Sequence, residues 1–230
     1  MDRAFVLKSS TIAALLTFGL AASLLSAGAP CLAQVLSADI VSGSADSAAP
    51  ARLGRLYVKG EKLRIEASGL PDGFFVVDGA EHVAYFVRPG QRVFMDARQT
   101  TPLTRILVRV GADDPCPQWQ AMAVAAGIAD GGGRWRCERS GAEPVGGRAA
   151  TVFHITSADG RRSAAWIDPQ LNIALRFQSD DGAMRVELRN VQEGPQAASL
   201  FEIPPSYAKF DPRRLIERIK QSDVWVEPPK

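Results

Sequence analysis

The segment from residue 54 to 66, GRLYVKGEKLRIE, alternates apolar and charged side chains on both sides of a Lys-Gly-Glu turn. Successive side chains of a strand point to opposite faces, so Leu63 and Ile65 share one face and the charged residues beside them share the other. The pattern predicts a hairpin in a sheet with one apolar and one solvated face. It leaves open whether the apolar face covers only the protein's own core or also a ligand.

Short strands continue on both sides of a central interruption, bounded mostly by Gly, Pro, Asp or Asn. This regular spacing is typical of an antiparallel meander. We therefore predict an α+β fold that is mainly antiparallel β. Strands are predicted at residues 35–41, 62–66, 74–77, 82–87, 92–95, 134–139, 149–156, 162–167, 173–178 and 184–191.

The central interruption predicts helical structure. The apolar run 103–110 fits either a strand or a short helix, whereas Trp119, Met122 and Ala126 fall at helical spacing and predict a helix that ends near Ile128. A sheet of many strands must roll up or be covered. We therefore expect a curved half-open β-barrel wrapped over this central helix.

A second helix is predicted at the C-terminus. Asp211 fits the N-cap and Pro212 the first helical position. Leu215, Ile216 and Ile219 then form a narrow apolar stripe among charged residues, which indicates an amphipathic helix. We interpret this helix as packed on the outside of its own sheet, with a membrane surface or a partner protein as the alternative.

Residues 1–33 have the layout of a secretory signal peptide. Arg3 and Lys8 precede the apolar run TIAALLTFGLAASLL, and small residues lead to a cleavage site after Ala33. An uncleaved inner-membrane anchor is the alternative, but the run is short for a span of about 20 residues. We therefore predict a periplasmic protein whose mature chain is long enough for one domain with a sizeable core.

The predicted domain organisation has four parts. They are the cleaved signal peptide at 1–33, a mobile N-terminal segment with one strand candidate at 34–53, a β domain at 54–211 with a helical insertion at 113–137, and a C-terminal helix and tail at 212–230.

Two cysteines, Cys116 and Cys137, remain after removal of the signal peptide. An even pair in an exported chain predicts a disulfide, which tethers the helical insertion and stabilises the fold by roughly 3 kcal/mol. Two free thiols or a metal site are the alternatives. A zinc site is disfavoured because no histidine lies nearby in the sequence.

Candidate catalytic residues form no recognisable motif. His82 and His154 each lie inside a predicted strand, and the acidic pairs at 113–114 and 180–181 lie in turns. The sequence has no HExxH, GxSxG, paired CxxC or phosphate-loop pattern. We therefore predict a protein that is not an enzyme and has no metal or cofactor. The formal net charge of +2 gives no electrostatic support for nucleic-acid binding.

Seven short segments between residues 54 and 211 share a strand pattern and motifs with one known superfamily. They are GRLYVKGEKLRIE, FFVVDG, AYFVRP, RVFMD, WIDPQLNIALRF, MRVELRNVQEG and LFEIPPSYAKFD. These segments resemble the LolA-like envelope proteins, among which we include the DUF4412-type proteins. The resemblance implies a half-open antiparallel barrel with a helical lid, whose apolar inner surface receives acyl chains of lipoproteins or a protein or lipid ligand.

The resemblance also implies a set of residues that line a ligand cavity. The candidates are Leu63, Ile65, Phe75, Val77, Tyr85, Val87, Phe94, Trp119, Met122 and Trp166. The tryptophans could equally serve core packing, and the small side chains of the central helix fit either a cavity or tight helix–sheet contact.

Three functional hypotheses follow, and the least favoured is an unrecognised envelope enzyme whose site would be His82 or His154 beside a carboxylate. The first is a monomeric, non-enzymatic periplasmic binding protein for a lipid, an acyl chain or a lipidated protein. The alternative is an envelope protein-interaction or sensor module that uses its outer surface or the C-terminal helix. The insertion from Cys116 to Cys137 and the charged C-terminal helix depart from the family pattern and favour an accessory member of the superfamily.

Overall fold

A computed structural model describes residues 35–43, 50–129 and 132–221. The predicted signal peptide at 1–33 lies outside these ranges, as does the tail from residue 222 onward. Within the described ranges, no helix is long and apolar enough to cross a membrane.

The described residues form twelve strands, three α-helices and two short 3-10 turns. The strands are β1 (Val35–Ser42), β2 (Ala51–Lys59), β3 (Lys62–Ala67), β4 (Phe74–Asp78), β5 (Val83–Arg88), β6 (Val93–Asp96), β7 (Arg136–Val145), β8 (Arg148–Thr156), β9 (Arg162–Asp168), β10 (Ile173–Ser179), β11 (Arg185–Glu193) and β12 (Ala208–Lys209). The helices are α1 (Leu103–Ile106), α2 (Cys116–Ala125) and α3 (Pro212–Gln221), and the 3-10 turns span Pro89–Gln91 and Ala198–Phe201.

All twelve strands belong to one sheet in the order β12-β6-β5-β4-β3-β2-β1-β11-β10-β9-β8-β7. Neighbouring strands are antiparallel except for β6 and β12, which are parallel. The prediction of a mainly antiparallel fold is therefore confirmed. The sheet is open, because β12 and β7 form its two edges.

Strand β1 lies in the middle of this sheet, between β2 and β11. It joins a meander built from β2 to β6 with a second one built from β7 to β11. Its Leu36 and Ile40 are fully buried. The sequence predicts this strand candidate within a mobile segment at 34–53, outside the β domain. In the structure, β1 is a central strand of the sheet, because β2 of one meander and β11 of the other both hydrogen-bond to it.

One face of the sheet, the inner face, packs against α1 and α2. Trp119 of α2 is 3% exposed and Met122 is 1% exposed. The Trp119 indole Nε1 donates a hydrogen bond to the Ile106 carbonyl oxygen at 3.2 Å. Its ring meets Phe177 of β10 edge-on, with 5.9 Å between the ring centroids. Helix α2 is thereby fixed to both α1 and the sheet.

The predicted disulfide between Cys116 and Cys137 is present, with a Cα–Cα distance of 5.7 Å. It joins the first residue of α2 to the edge strand β7. The bridge therefore ties the helix that covers the inner face to one end of the sheet.

Removal of this bridge in a Cys116→Ala, Cys137→Ala double variant is expected to lower the free energy of unfolding by about 3 kcal/mol, because the unfolded chain loses a constraint over about 20 residues. Guanidinium unfolding measures the change. The wild type in excess reductant should unfold at the midpoint of the variant. Equal midpoints for the oxidised wild type and the variant would contradict the prediction.

Two smaller apolar clusters lie on the opposite, outer face of the sheet. The first contains Phe74, Val76, Val87, Phe94, Ile203 and Tyr207. The second contains Val145, Ala150, Leu175, Trp166 and Val191. Residues 198–209, which we call the strap, cross the first cluster and end as β12 beside β6.

Candidate functional site

The ten candidate cavity residues do not share one surface. Six belong to the core of the inner face, where none is more than 3% exposed: Leu63, Ile65, Phe75, Val77, Trp119 and Met122. Four lie on the outer face: Tyr85, Val87, Phe94 and Trp166. The predicted assignment of all ten to one interior is therefore corrected, because β5 and β6 present these aromatic and apolar residues to the other side of the sheet.

The apolar face of Leu63 and Ile65 is filled by the protein itself. Side chains of α1 and α2 belong to the same buried cluster as those of β3 and β4. Four surface clefts are described, and none of them is lined by the six inner-face candidates. Of the ten candidates, Tyr85 alone lines one of these four, a cleft of about 420 Å³ beside the strap.

A larger cleft of about 820 Å³ lies at one end of strands β2 to β5. We call it the arginine cleft. Its walls combine positive charge with apolar surface. The arginines are Arg52, Arg55, Arg64 and Arg88, the acidic residues are Glu66 and Asp72, and the apolar side chains include Leu70, Pro71, Phe74 and Pro89. Positive charges outnumber negative charges two to one, which favours an anionic ligand.

Arg64 is held in a fixed orientation within this cleft. Its guanidinium lies over the Phe74 ring, with 3.4 Å between the guanidinium carbon and the ring centroid. The same group forms an ion pair with Glu66 at 2.9 Å and donates to the Leu200 carbonyl oxygen of the strap at 3.4 Å. A planar guanidinium fixed in this way is pre-organised for further hydrogen bonds.

Two other arginines of the cleft have donors to spare. Arg55 donates from Nη2 to Ser37 Oγ at 3.3 Å, while its buried Nε has no hydrogen-bond partner among the described residues. Half-buried Arg88 likewise has no side-chain ion pair or hydrogen bond within the part of the chain that the structure describes. A buried N–H without a partner is costly, and an acceptor atom from a ligand would satisfy it.

Gly54 allows β2 and β3 to approach closely in the lining of the arginine cleft. A Cβ atom at this position would lie 2.1 Å from the Glu66 carbonyl oxygen. No side chain can be accommodated there unless the backbone of one strand moves. The sequence therefore needs glycine at this point to keep the cleft in its present shape.

A Gly54→Ala variant is expected to unfold about 2 kcal/mol more easily than the wild type, because the added methyl group forces a backbone shift. Urea unfolding followed by tryptophan fluorescence measures the difference. Gly90→Ala is the matched control, since Gly90 lines the same cleft and a Cβ atom there meets nothing within 4 Å. A loss of stability in the control as large as in Gly54→Ala would contradict the steric explanation.

A buried carboxylate on β11 is surrounded by arginines outside the cleft. Glu187 is bound by Arg176 at 3.0 Å and by Arg189 at 3.0 Å, and Arg185 lies at 3.6 Å. Burial acts to raise the pKa of Glu187, but the hydrogen bonds from Arg189 and Arg176 outweigh it and hold the pKa below its ordinary value. Above the ordinary glutamate pKa, ionised Glu187 contributes its full stabilisation of the folded state. This contribution is lost as the pH falls through the lowered pKa of Glu187 in the folded protein.

A Glu187→Gln variant is expected to lose about 2 kcal/mol of stability at neutral pH, because hydrogen bonds to charged groups contribute about this much. The difference from the wild type should shrink as the pH falls below the ordinary glutamate pKa of 4.5. Unfolding midpoints measured across acidic and neutral pH provide the check. A difference that is independent of pH would rule out ionisation of Glu187 as the cause.

The two histidines lie in different surroundings. His82 precedes β5 in a turn, with a φ of 51°, and lines a cleft of about 580 Å³. Glu61 of the same cleft pairs with Arg109 at 3.5 Å. His154 is exposed on β8 and lines none of the four clefts. Among the described residues, no hydrogen bond joins either histidine to a carboxylate.

One group of side chains approaches the spacing of a metal site. Ligand atoms of Asp114, Cys116 and Cys137 lie within 4.8 Å of one another. The two sulfur atoms are bonded to each other, however, and a disulfide has no thiolate to bind a metal ion. This group is therefore explained by the disulfide and the turn before α2.

Solved structures of other proteins are similar to this chain at low sequence identity. An uncharacterized conserved protein from Thermus thermophilus matches at 13% identity and a TM-score of 0.44, over 78% of this chain and 91% of that chain. The MucA/MucB complex of Pseudomonas aeruginosa matches at 14% identity and a TM-score of 0.41, over 76% of this chain and 57% of that chain. A Vibrio parahaemolyticus domain described as a putative outer membrane lipoprotein-sorting protein matches at 10% identity and a TM-score of 0.28, over 74% of this chain and 89% of that chain.

The chain spans about a third of the length of PNGF-II, which it also matches. No protein-family model and no curated protein matches the sequence. The predicted resemblance to LolA-like and DUF4412-type proteins therefore stays a prediction. With TM-scores below 0.5, these similarities say nothing about what this chain binds.

Proposed function

We propose that this protein is a non-enzymatic binding protein of the cell envelope, and that its ligand is an acyl-chain compound with an anionic head group held in the arginine cleft. The observation that carries the proposal is the composition of that cleft, in which four guanidinium groups and an apolar wall share a volume of about 820 Å³.

The charged part of the cleft suits a phosphate or carboxylate. Guanidinium groups match both anions with paired hydrogen bonds, and such charge-assisted bonds are about twice as strong as neutral ones. Arg64 is already oriented by Phe74, while Arg88 keeps all its side-chain donors available. Little side-chain ordering is then needed at Arg64 when an anion binds.

The apolar part of the cleft suits the acyl chain. Leu70 lines it and is 40% exposed, although it is a large hydrophobic side chain. The Phe74 ring belongs both to the cleft and to the outer apolar cluster beneath the strap. Burial of these surfaces by a hydrocarbon chain would contribute roughly 25 cal/mol for each Å² removed from water.

This proposal moves the acyl-chain site from the inner to the outer face of the sheet. Leu63 and Trp119 of the inner face are 0% and 3% exposed, and both belong to one buried cluster with side chains of α1 and α2. Admission of a ligand there would require α2 to leave the sheet, and the disulfide ties its first residue to β7. The arginine cleft is open without any such movement.

Isothermal titration calorimetry with three soluble probes tests the proposal. Dihexanoyl phosphatidylglycerol supplies both an anion and acyl chains, dihexanoyl phosphatidylcholine supplies acyl chains without net charge, and inorganic phosphate supplies the anion alone. We expect the phosphatidylglycerol probe to bind most tightly. Equal affinity for phosphatidylcholine would remove the role of the arginines, and equal affinity for inorganic phosphate would remove the role of the apolar wall.

Native mass spectrometry of protein purified without detergent gives a second test. A mass excess that extraction identifies as an acidic lipid would support the proposal. Retention of the same amount of that lipid by a variant with substituted cleft arginines would contradict it.

A further inference from the structure

The end of the molecule that carries α3 has a second, separate cleft of about 870 Å³. It lies between β6, the end of α2 and the start of α3. The cationic side chains in its lining are Arg98, Lys209, Arg213 and Arg214, and the acidic ones are Asp96 and Asp211. We call this region the α3 end.

Both carboxylates of the α3 end already have partners. Asp96 pairs with Arg98 at 2.6 Å. Asp211 accepts the Arg213 backbone N–H at 2.9 Å, which caps the first turn of α3, and its second oxygen lies 3.8 Å from Arg214. The Arg213 side chain is exposed and has no ion pair among the described residues. The α3 end therefore presents a net positive charge to an approaching surface.

Exposed apolar side chains lie next in the chain to residues of this cleft. The described chain has four exposed large hydrophobic residues, and three of them are within two residues of the cleft lining in sequence. Val124 is 41% exposed and precedes Ala125 of the lining, Ile128 is 44% exposed and follows Gly127, and Ile216 is 51% exposed on α3. The apolar stripe of α3 predicts packing on the outside of its own sheet, whereas Ile216 of this stripe is exposed.

We propose that the α3 end docks on the surface of a bilayer that contains anionic lipids. A basic helix with exposed aliphatic side chains is typical of segments that lie in the lipid interface, where apolar side chains insert shallowly and arginines meet the head groups. The three exposed aliphatic side chains come from separate places in the chain, namely α2, the turn after it and α3. This arrangement fits a lipid surface, which adapts to scattered side chains.

This inference is independent of the ligand proposed for the arginine cleft, because the two clefts share no lining residue. Docking would place the protein at a membrane from which an acyl-chain ligand could be taken or to which it could be delivered. A negative result for membrane docking would not contradict ligand binding in the arginine cleft, and the reverse also holds, since the two proposals depend on different arginines.

Sedimentation with vesicles tests the docking. We expect the purified protein to sediment with vesicles of phosphatidylglycerol and phosphatidylcholine, to remain in solution with phosphatidylcholine alone, and to bind less as salt is raised. An Arg213→Gln, Arg214→Gln variant should partition roughly 25-fold less, because each basic residue near an anionic surface contributes about fivefold. The control is Arg161→Gln, Arg162→Gln, whose side chains are both 73% exposed and line neither this cleft nor the arginine cleft.

An Ile216→Trp variant reports insertion directly. Its fluorescence should shift to the blue on anionic vesicles and remain unshifted on phosphatidylcholine. The docking proposal is overturned by equal binding to both kinds of vesicle, by no binding to either, by an equal loss in the control variant, or by the absence of a blue shift. The Arg213→Gln, Arg214→Gln variant should still bind dihexanoyl phosphatidylglycerol with wild-type affinity, which separates this site from the arginine cleft.

Discussion

An Arg64→Gln, Arg88→Gln variant is expected to bind dihexanoyl phosphatidylglycerol roughly 100-fold more weakly than the wild type. Each substitution removes a charge-assisted hydrogen bond, and such a bond contributes roughly tenfold or more to an equilibrium constant. Arg88→Gln alone should weaken binding by about tenfold. It should leave the melting temperature unchanged, because the Arg88 side chain has no partner within the described structure.

The two single variants separate binding from folding. Arg64→Gln also loses the contact with Phe74 and the ion pair with Glu66, so a decrease in stability is expected to accompany its loss of affinity. Arg161→Gln is the control, since Arg161 is 73% exposed and lies outside the arginine cleft. Calorimetry that finds the same affinity for wild type and double variant, or the same loss in the control, would exclude the cleft as the binding site.

An Asp168→Ala variant is expected to unfold about 4 kcal/mol more easily than the wild type, because it leaves two backbone N–H groups without an acceptor and removes a buried charge-assisted hydrogen bond of Arg148, which keeps only Glu193 as a partner. Asp168 is 2% exposed and lies 2.6 Å from the Nε of Arg148. Its other oxygen accepts the backbone N–H groups of Gln170 and Leu171, at 2.8 Å and 3.1 Å. One carboxylate thus connects β8 to the turn between β9 and β10.

Guanidinium unfolding measures the cost. Asp159→Ala serves as the control, because Asp159 also follows a strand and pairs with an arginine but is 53% exposed, so its loss should cost under about 1 kcal/mol. Asp168→Asn retains one acceptor oxygen and should fall between the wild type and Asp168→Ala. A cost below about 1 kcal/mol for Asp168→Ala would show that water replaces the carboxylate at this turn.

The strand pattern predicted most of the sheet because turn residues interrupt it at regular intervals. The alternation in β3 correctly identified Leu63 and Ile65 as core residues, since charged neighbours mark the solvated face. In β5 the run VAYFVR is almost wholly apolar, so the sequence does not indicate which of its side chains face the core and which face outward. The pairing Phe75↔Phe86 turns Phe86 toward the inner face, and Tyr85 and Val87 therefore point outward.

The arginine cleft could not be predicted from the sequence. Its arginines belong to three different strands and were interpreted as parts of a solvated face. The register of the β2–β3, β3–β4 and β4–β5 hairpins brings them to one end of the sheet. One signal was present, namely Gly54 inside an otherwise regular strand, which indicates a close backbone approach.

Local sequence patterns predict most of the strand positions, the mainly antiparallel class and the Cys116–Cys137 pair, because each depends on residues close together in the chain. The position of β1 between the two meanders, the filled inner face and the cleft shared by four scattered arginines are visible in the folded chain alone. These features depend on the register between strands, which a pattern within one strand does not specify.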